Sequence, residues 1–174
     1  MDIMFNTMKY CKDYLATPSY KKEIYAFRYI LDINKYLPKR KLLDIGCATG
    51  EMMKIAQRSN YDCYGIDISE PLVNIAKKSK LNVKVSTIEK EKYPDQMFDV
   101  ITILSVIQYI KNKVKFLEEV KRILRDDGIL LIHCPKPHMT PLELFELVSK
   151  CGFASMYIRT GIADKYCEII CKKM

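Results

Sequence analysis

One stretch constrains this chain more than any other: Leu42-Leu43-Asp44-Ile45-Gly46-Cys47-Ala48-Thr49-Gly50. Leu42, Leu43 and Ile45 make the short apolar run of a strand buried on both faces. Gly46 and Gly50 follow where a side chain would block a tight turn or a close ligand. Glu51 to Ser59 then reads as a helix, with Met52, Met53, Ile55 and Ala56 as its apolar positions. Strand, glycine turn and helix form the unit that lays a nucleotide across the carboxyl end of the strand.

The next run, Cys63 to Ile68, is a second strand that carries Asp67, 21 residues beyond Gly46. In nucleotide-binding units an acid about 20 residues on takes the ribose hydroxyls, and a carboxylate has two oxygens to offer them. Ser69 fits an N-cap and Pro71 a first-turn position for a helix to Lys80. Further along, Asn82–Ser86, Phe98–Leu104 and Ile129–Ile132 read as strands, Val114–Leu124 as a helix and Arg125–Gly128 as a turn. Pro141–Cys151 reads as a helix closed by Gly152, followed by strands Ala154–Thr160 and Tyr166–Cys171 around a turn at 161–165. Ahead of the sheet, Tyr20–Leu37 has helical spacing and Pro38 would end it.

Asp44-x-Gly46-x-Ala48-x-Gly50 resembles motif I of the class I S-adenosylmethionine (SAM) methyltransferases, D-x-G-x-G-x-G, with Ala48 in the middle small position. "GIDIS" followed by "PLVNIAKK" resembles the family's motif II, "FDVITIL" its fourth strand, and "LRDDGILLIHCP" its "LKPGGxLLIxxP". The resemblance covers about residues 36–174 with the motif regions in order, and is nearest to the small-molecule members. It implies a three-layer α/β/α sandwich around a seven-stranded, mostly parallel sheet with an antiparallel last strand. It also implies SAM as cofactor and S-adenosylhomocysteine as product. Asp44, Gly46, Cys47, Ala48 and Gly50 would approach the methionine moiety, and Asp67 would hold the ribose. Ile68, Thr87 and Ile88 would frame the adenine, and Leu104 would sit beside the transferred methyl. Thr87 stands where the family carries an acid for the adenine amine; its hydroxyl accepts more weakly, and Glu89 is the alternative. The domain would span 38–174, with residues 1–37 a helical segment lying as a lid over the cofactor. Tyr14 and Tyr20 would then help to form the acceptor pocket.

"LSVIQYI", Leu104 to Ile110, stands where related small-molecule enzymes show a segment like "SVLEHI". Tyr109 replaces a histidine near the acceptor and keeps a hydrogen-bonding group, with a free pKa of about 10. Of the two histidines, His138, in the loop above the sheet, is better placed than His133 to act as general base. Tyr109 and His138 are therefore the catalytic candidates. The segment is not [DNS]-P-P-[YFW], the signature of enzymes that methylate exocyclic or amide nitrogens. Cys134 lacks the second cysteine that covalent cytosine chemistry uses. No metal set is legible: Cys167 and Cys171 have no histidine or second cysteine pair nearby. Methyl transfer itself needs chiefly a positioned nucleophile, so O-, N-, S- and C-acceptors all remain open.

At 174 residues the chain is one domain in length. Its +8 net charge is spread along every helix and loop; the densest run, Lys39-Arg40-Lys41, lies at the end of the sheet away from the ligand face. That distribution favours a small-molecule acceptor over nucleic acid; an RNA methyltransferase and a non-catalytic SAM-binding interaction protein are the alternatives. Seven scattered cysteines point to reduced thiols in a cytoplasmic protein. No stretch suggests a membrane span or a secretory signal. A short connection between the fifth strand and the last pair predicts a shallow acceptor site in a monomer or homodimer, unless the N-terminal helices or a second subunit close it.

Overall fold

The structure, a computed structural model, describes residues 7–34, 41–160 and 166–174. Two helices, α1 (Thr7–Ala16) and α2 (Ser19–Ile33), precede the sheet. Then come β1 (Lys41–Ile45), α3 (Glu51–Arg58), β2 (Asp62–Asp67), α4 (Glu70–Lys78) and β3 (Val83–Val85). A short α5 (Ile88–Glu91) leads to β4 (Phe98–Leu104), a 3-10 turn at Ile107–Tyr109, α6 (Lys113–Ile123) and β5 (Leu124–Pro135). The chain closes with α7 (Pro141–Lys150), β6 (Phe153–Thr160) and β7 (Tyr166–Lys173).

The strands form one sheet in the order β3-β2-β1-β4-β5-β7-β6. β1 to β5 pair in parallel, and β7 runs antiparallel between β5 and β6. This is the anticipated seven-stranded α/β/α sandwich. The apolar runs explain it: alternate residues leave a strand on opposite faces, and here both faces are covered. Leu42, Val100, Ile129 and Leu131 pack with Ala26, Ile30 and Ile33 of α2 and with α3 and α4. Leu43, Ile101, Leu130 and Ile132 pack on the other face with Phe116, Leu117 and Val120 of α6 and Leu144 and Val148 of α7. All seven cysteines are buried without a disulfide, most of them filling these two layers.

Three local expectations change. The helix expected from Tyr20 starts one residue earlier and ends at Ile33 with Asn34 as its cap; Pro38 and Lys39-Arg40 lie outside the described residues, as does the turn at 161–165. Arg125–Gly128 is not a turn ahead of the strand but an outward excursion within β5. Leu124 already pairs with Phe98, and the ladder resumes at Ile129 opposite Val100. The loop after β3 contains α5, because Ile88 is drawn into the core.

Candidate active site

The carboxyl ends of β1, β4 and β5 meet at a cleft of about 390 Å³. Its floor is the turn after β1. Gly46, at φ +80°, donates its N–H to the Ile66 carbonyl at 2.8 Å, and Gly50, at φ +81°, closes the turn onto the Cys47 carbonyl at 2.8 Å. Left-handed backbone suits glycine; Ala48 adopts it too, at φ +46°, so the methyl at the middle motif position costs strain rather than the turn. Neither glycine is spared a side chain for the sake of a ligand. A Cβ on Gly46 would come within 2.2 Å of Val106 Cγ2, and one on Gly50 within 2.2 Å of Leu81 Cδ1. Both serve close packing.

Two acids line the cleft. Asp44 is buried and accepts a 2.7 Å hydrogen bond from the hydroxyl of Thr102, its cross-strand partner on β4. Burial pushes its pKa up to about 7, against the Thr102 bond; Asp67 and Glu51 add repulsion. Glu51, the first residue of α3, sits where an acid suits the helix dipole. Burial raises its carboxyl, but hydrogen bonds from Thr49 Oγ1 and Tyr14 OH outweigh that and leave its pKa lowered.

Asp67, expected to meet a ribose, is already engaged. Its Oδ2 accepts from Ala48 N–H at 2.9 Å and its Oδ1 from Ser69 N–H at 2.8 Å. It therefore ties the first nucleotide turn to the second. Burial raises its pKa against those N–H bonds. α1 lies across the same place: Cys11 Sγ is 2.9 Å from Ser69 Oγ, Tyr14 donates to Glu51 Oε2 at 2.8 Å, and Cys11, Ala48, Leu72 and Tyr14 pack together.

The expected cofactor residues thus fall into two groups. Asp44, Gly46, Cys47, Ala48 and Leu104 line the cleft. Gly50, Asp67, Ile68, Thr87 and Ile88 do not; Gly50 and Ile88 are buried and Ile68 and Thr87 half-buried, on the β2–β3 side. Tyr14 is in the cleft, and the Tyr20 side chain lies outside what the structure describes. Tyr109 and His138 stand together, ring centroids 6.5 Å apart, but outside the cleft lining.

The histidine in the cleft is His133, at the end of β5. Burial, reinforced by the Arg28 charge, holds its pKa down at about 4, so it is neutral at physiological pH. Ser105, Tyr25, Tyr29 and Tyr166 join it there. From sequence, His133 ranks below His138, and Ser105, Tyr25, Tyr29 and Tyr166 are not put forward. A polar residue at the carboxyl end of a parallel strand is the signal that would have found His133 and Ser105; the tyrosines of α2 and β7 carry no such mark.

Fold, glycine turn and acid-tied second strand define a nucleotide-binding α/β domain of the doubly wound kind. The sequence model of the family described as "Methyltransferase domain" matches residues 43–132, just over half of the chain. The chain belongs to this family, which places it in the SAM-dependent class. Protein MJ1123 of Methanocaldococcus jannaschii is 33% identical over 113 residues, covering 65% of this chain and 50% of that protein. The ubiquinone/menaquinone biosynthesis C-methyltransferase UbiE of Campylobacter jejuni is 34% identical over 107 residues, covering 56% and 46% respectively. The chain thus spans about half the length of these curated relatives. A SAM-dependent methyltransferase structure from Aquifex aeolicus superposes with a TM-score of 0.76 at 21% identity, covering 98% of this chain and all of that one, which establishes the fold.

Proposed function

We propose that this protein transfers a methyl group from SAM to a small-molecule acceptor. The observation that carries this is the acidic cleft over the carboxyl ends of β1, β4 and β5, lined by Asp44 and Glu51 and floored by the motif I turn. SAM supplies an activated methyl on a positively charged sulfur, beside an amino acid arm that is itself cationic at its nitrogen. Asp44 and Glu51 suit those charges, and the turn from Gly46 to Ala48 offers backbone to the arm. Asp67 keeps unused lone pairs for ribose hydroxyls beyond the two it spends on backbone.

α1 covers that nucleoside half, with Ser69 fully buried beneath Cys11. We therefore assign α1, within the segment 1–37 expected as a lid, the role of a lid that shifts when the cofactor enters. The Tyr14–Glu51 and Cys11–Ser69 bonds tie it to the domain around motif I. Tyr109 and His138, which contact each other away from the cleft, receive no chemical step.

A small acceptor fits the size of the cleft, which is at the low end of ligand pockets, roughly 300–1,000 Å³. The UbiE relative is named for ubiquinone and menaquinone biosynthesis, which also supports a small molecule. Buried, unbridged cysteines accord with a reducing cytoplasm, and among the described residues no helix is long and apolar enough to cross a membrane. The test is incubation with methyl-tritiated SAM and, in parallel, a small-metabolite extract or total RNA. Label in the metabolite fraction is expected; label confined to RNA would overturn the small-molecule reading.

A further inference from the structure

His133 and Ser105 stand side by side at the carboxyl ends of neighbouring strands, His133 opposite Leu104 in the β4–β5 register. That puts both at the end of the cleft where the transferred methyl is expected. His133 Nδ1 is 3.1 Å from Ser105 Oγ. Tyr29 meets the imidazole edge-on at 6.1 Å between centroids, and Tyr166 lies tilted against it at 4.8 Å. The ring is fixed on both sides, and its Nε2 has no hydrogen-bond partner on another described residue. Ser105 itself holds a left-handed backbone, φ +59°, unusual for a residue with a side chain. Strain of this kind gathers at functional sites.

The surrounding wall is largely apolar. Tyr25, Tyr29, Tyr166 and Pro135 line it beside Leu104, and the Arg28 guanidinium lies over the three tyrosine rings. Aromatic walls take planar ligands in offset or edge-on contact. The cofactor's amino acid arm must share the 390 Å³, so what remains suits a ligand of about one ring.

We propose that the acceptor is a small aromatic hydroxyl compound, a phenol in the broad sense, and that His133 Nε2 takes its proton. This rests on the methyltransferase reading above. In the tautomer this requires, Nδ1–H donates to Ser105 Oγ and the Nε2 lone pair is left for the acceptor. As the hydroxyl oxygen forms its bond to the methyl carbon, the carbon–sulfur bond breaks and its electron pair stays on sulfur. The oxygen becomes an acid far stronger than any imidazolium, and its proton passes to Nε2. The low basicity of this buried imidazole is therefore no obstacle on oxygen. An alkylamine acceptor has no need of the base during transfer, and its ammonium product, with a pKa near that of lysine, about 10, would not yield its proton to this histidine.

The test uses the full chain and starts from calorimetric binding of S-adenosylhomocysteine, which the native protein, His133→Gln and Ser105→Ala should all show. Transfer from labelled SAM is then followed to phenol and catechol, with benzylamine and phenethylamine as matched amines. Transfer to the phenols is expected, with kcat lowered about 100-fold or more in His133→Gln, as for loss of a general base, and KM nearly unchanged. In the presence of S-adenosylhomocysteine, catechol should shift the ring resonances of His133 and leave those of His138, the only other histidine. Cofactor binding without transfer to the phenols, transfer to the amines alone, an unchanged kcat in His133→Gln, or a silent His133 resonance would each overturn the inference. Failure to bind S-adenosylhomocysteine would overturn the underlying methyltransferase reading, and this inference with it.

Discussion

Replacing Asp44 by Asn separates the electrostatic cost of the buried acid from its packing. In the fold its pKa stands at about 7, against a reference of 3.8. The folded protein therefore binds more protons than the unfolded chain between those values, and stability falls as pH rises through that window. The shift corresponds to a penalty on the order of 4 kcal/mol once both states are ionised, and roughly 1.6 kcal/mol at pH 5, where only the unfolded acid is ionised. Asn fits the same space and can still accept from Thr102, but its amide nitrogen adds a donor whose burial costs about 1–3 kcal/mol if unmatched. That cost does not depend on pH. The effect of Asp44→Asn on unfolding free energy should therefore move by roughly 2–3 kcal/mol in the stabilising direction between pH 5 and pH 8. Urea unfolding of both proteins at the two pH values reads this difference directly, and titrating groups that do not interact with Asp44 cancel in it. An effect of Asp44→Asn that is the same at both pH values would refute the reasoning.

Three further outcomes follow from the geometry. Asp67→Ala orphans the buried N–H groups of Ala48 and Ser69 and should cost roughly 2–4 kcal/mol of stability, quite apart from ligand binding; an unchanged urea midpoint would contradict this. Gly46→Ala places a methyl at 2.2 Å from Val106 Cγ2 on backbone at φ +80°. It should destabilise by more than the 1–2 kcal/mol of the dihedral alone, and Val106→Ala in the same chain should restore part of the loss, read as melting temperature. Tyr14→Phe removes the α1 bond to Glu51, worth about 0.5–1.5 kcal/mol, and should speed S-adenosylhomocysteine association several-fold in stopped flow; slower association would argue that α1 holds the ligand instead of screening it.

The sheet was legible because its strands are buried on both faces. Leu42 and Leu43 go to opposite layers, as adjacent apolar residues do in a strand buried on both faces. The spacing from Gly46 to Asp67 was equally legible, since the motif residues must meet across β1 and β2. What the spacing did not reveal is that Asp67 holds the backbone of Ala48 and Ser69 before it holds any ligand. His138 stands out in sequence because loops carry function disproportionately. His133 lies in an apolar strand whose final residues reach the cleft, so burial and access coincide at one position. The path of α1 was beyond reach for another reason: the bonds of Cys11 to Ser69 and of Tyr14 to Glu51 help to seat it, and no periodicity encodes those.

The most direct test of the account is a calorimetric titration of the protein with S-adenosylhomocysteine and with SAM, alongside a melting curve with each. The account predicts saturable one-to-one binding of both and a rise in melting temperature with ligand concentration. Absence of heat, together with an unchanged melting temperature at high ligand concentration, would contradict the assignment of the cleft.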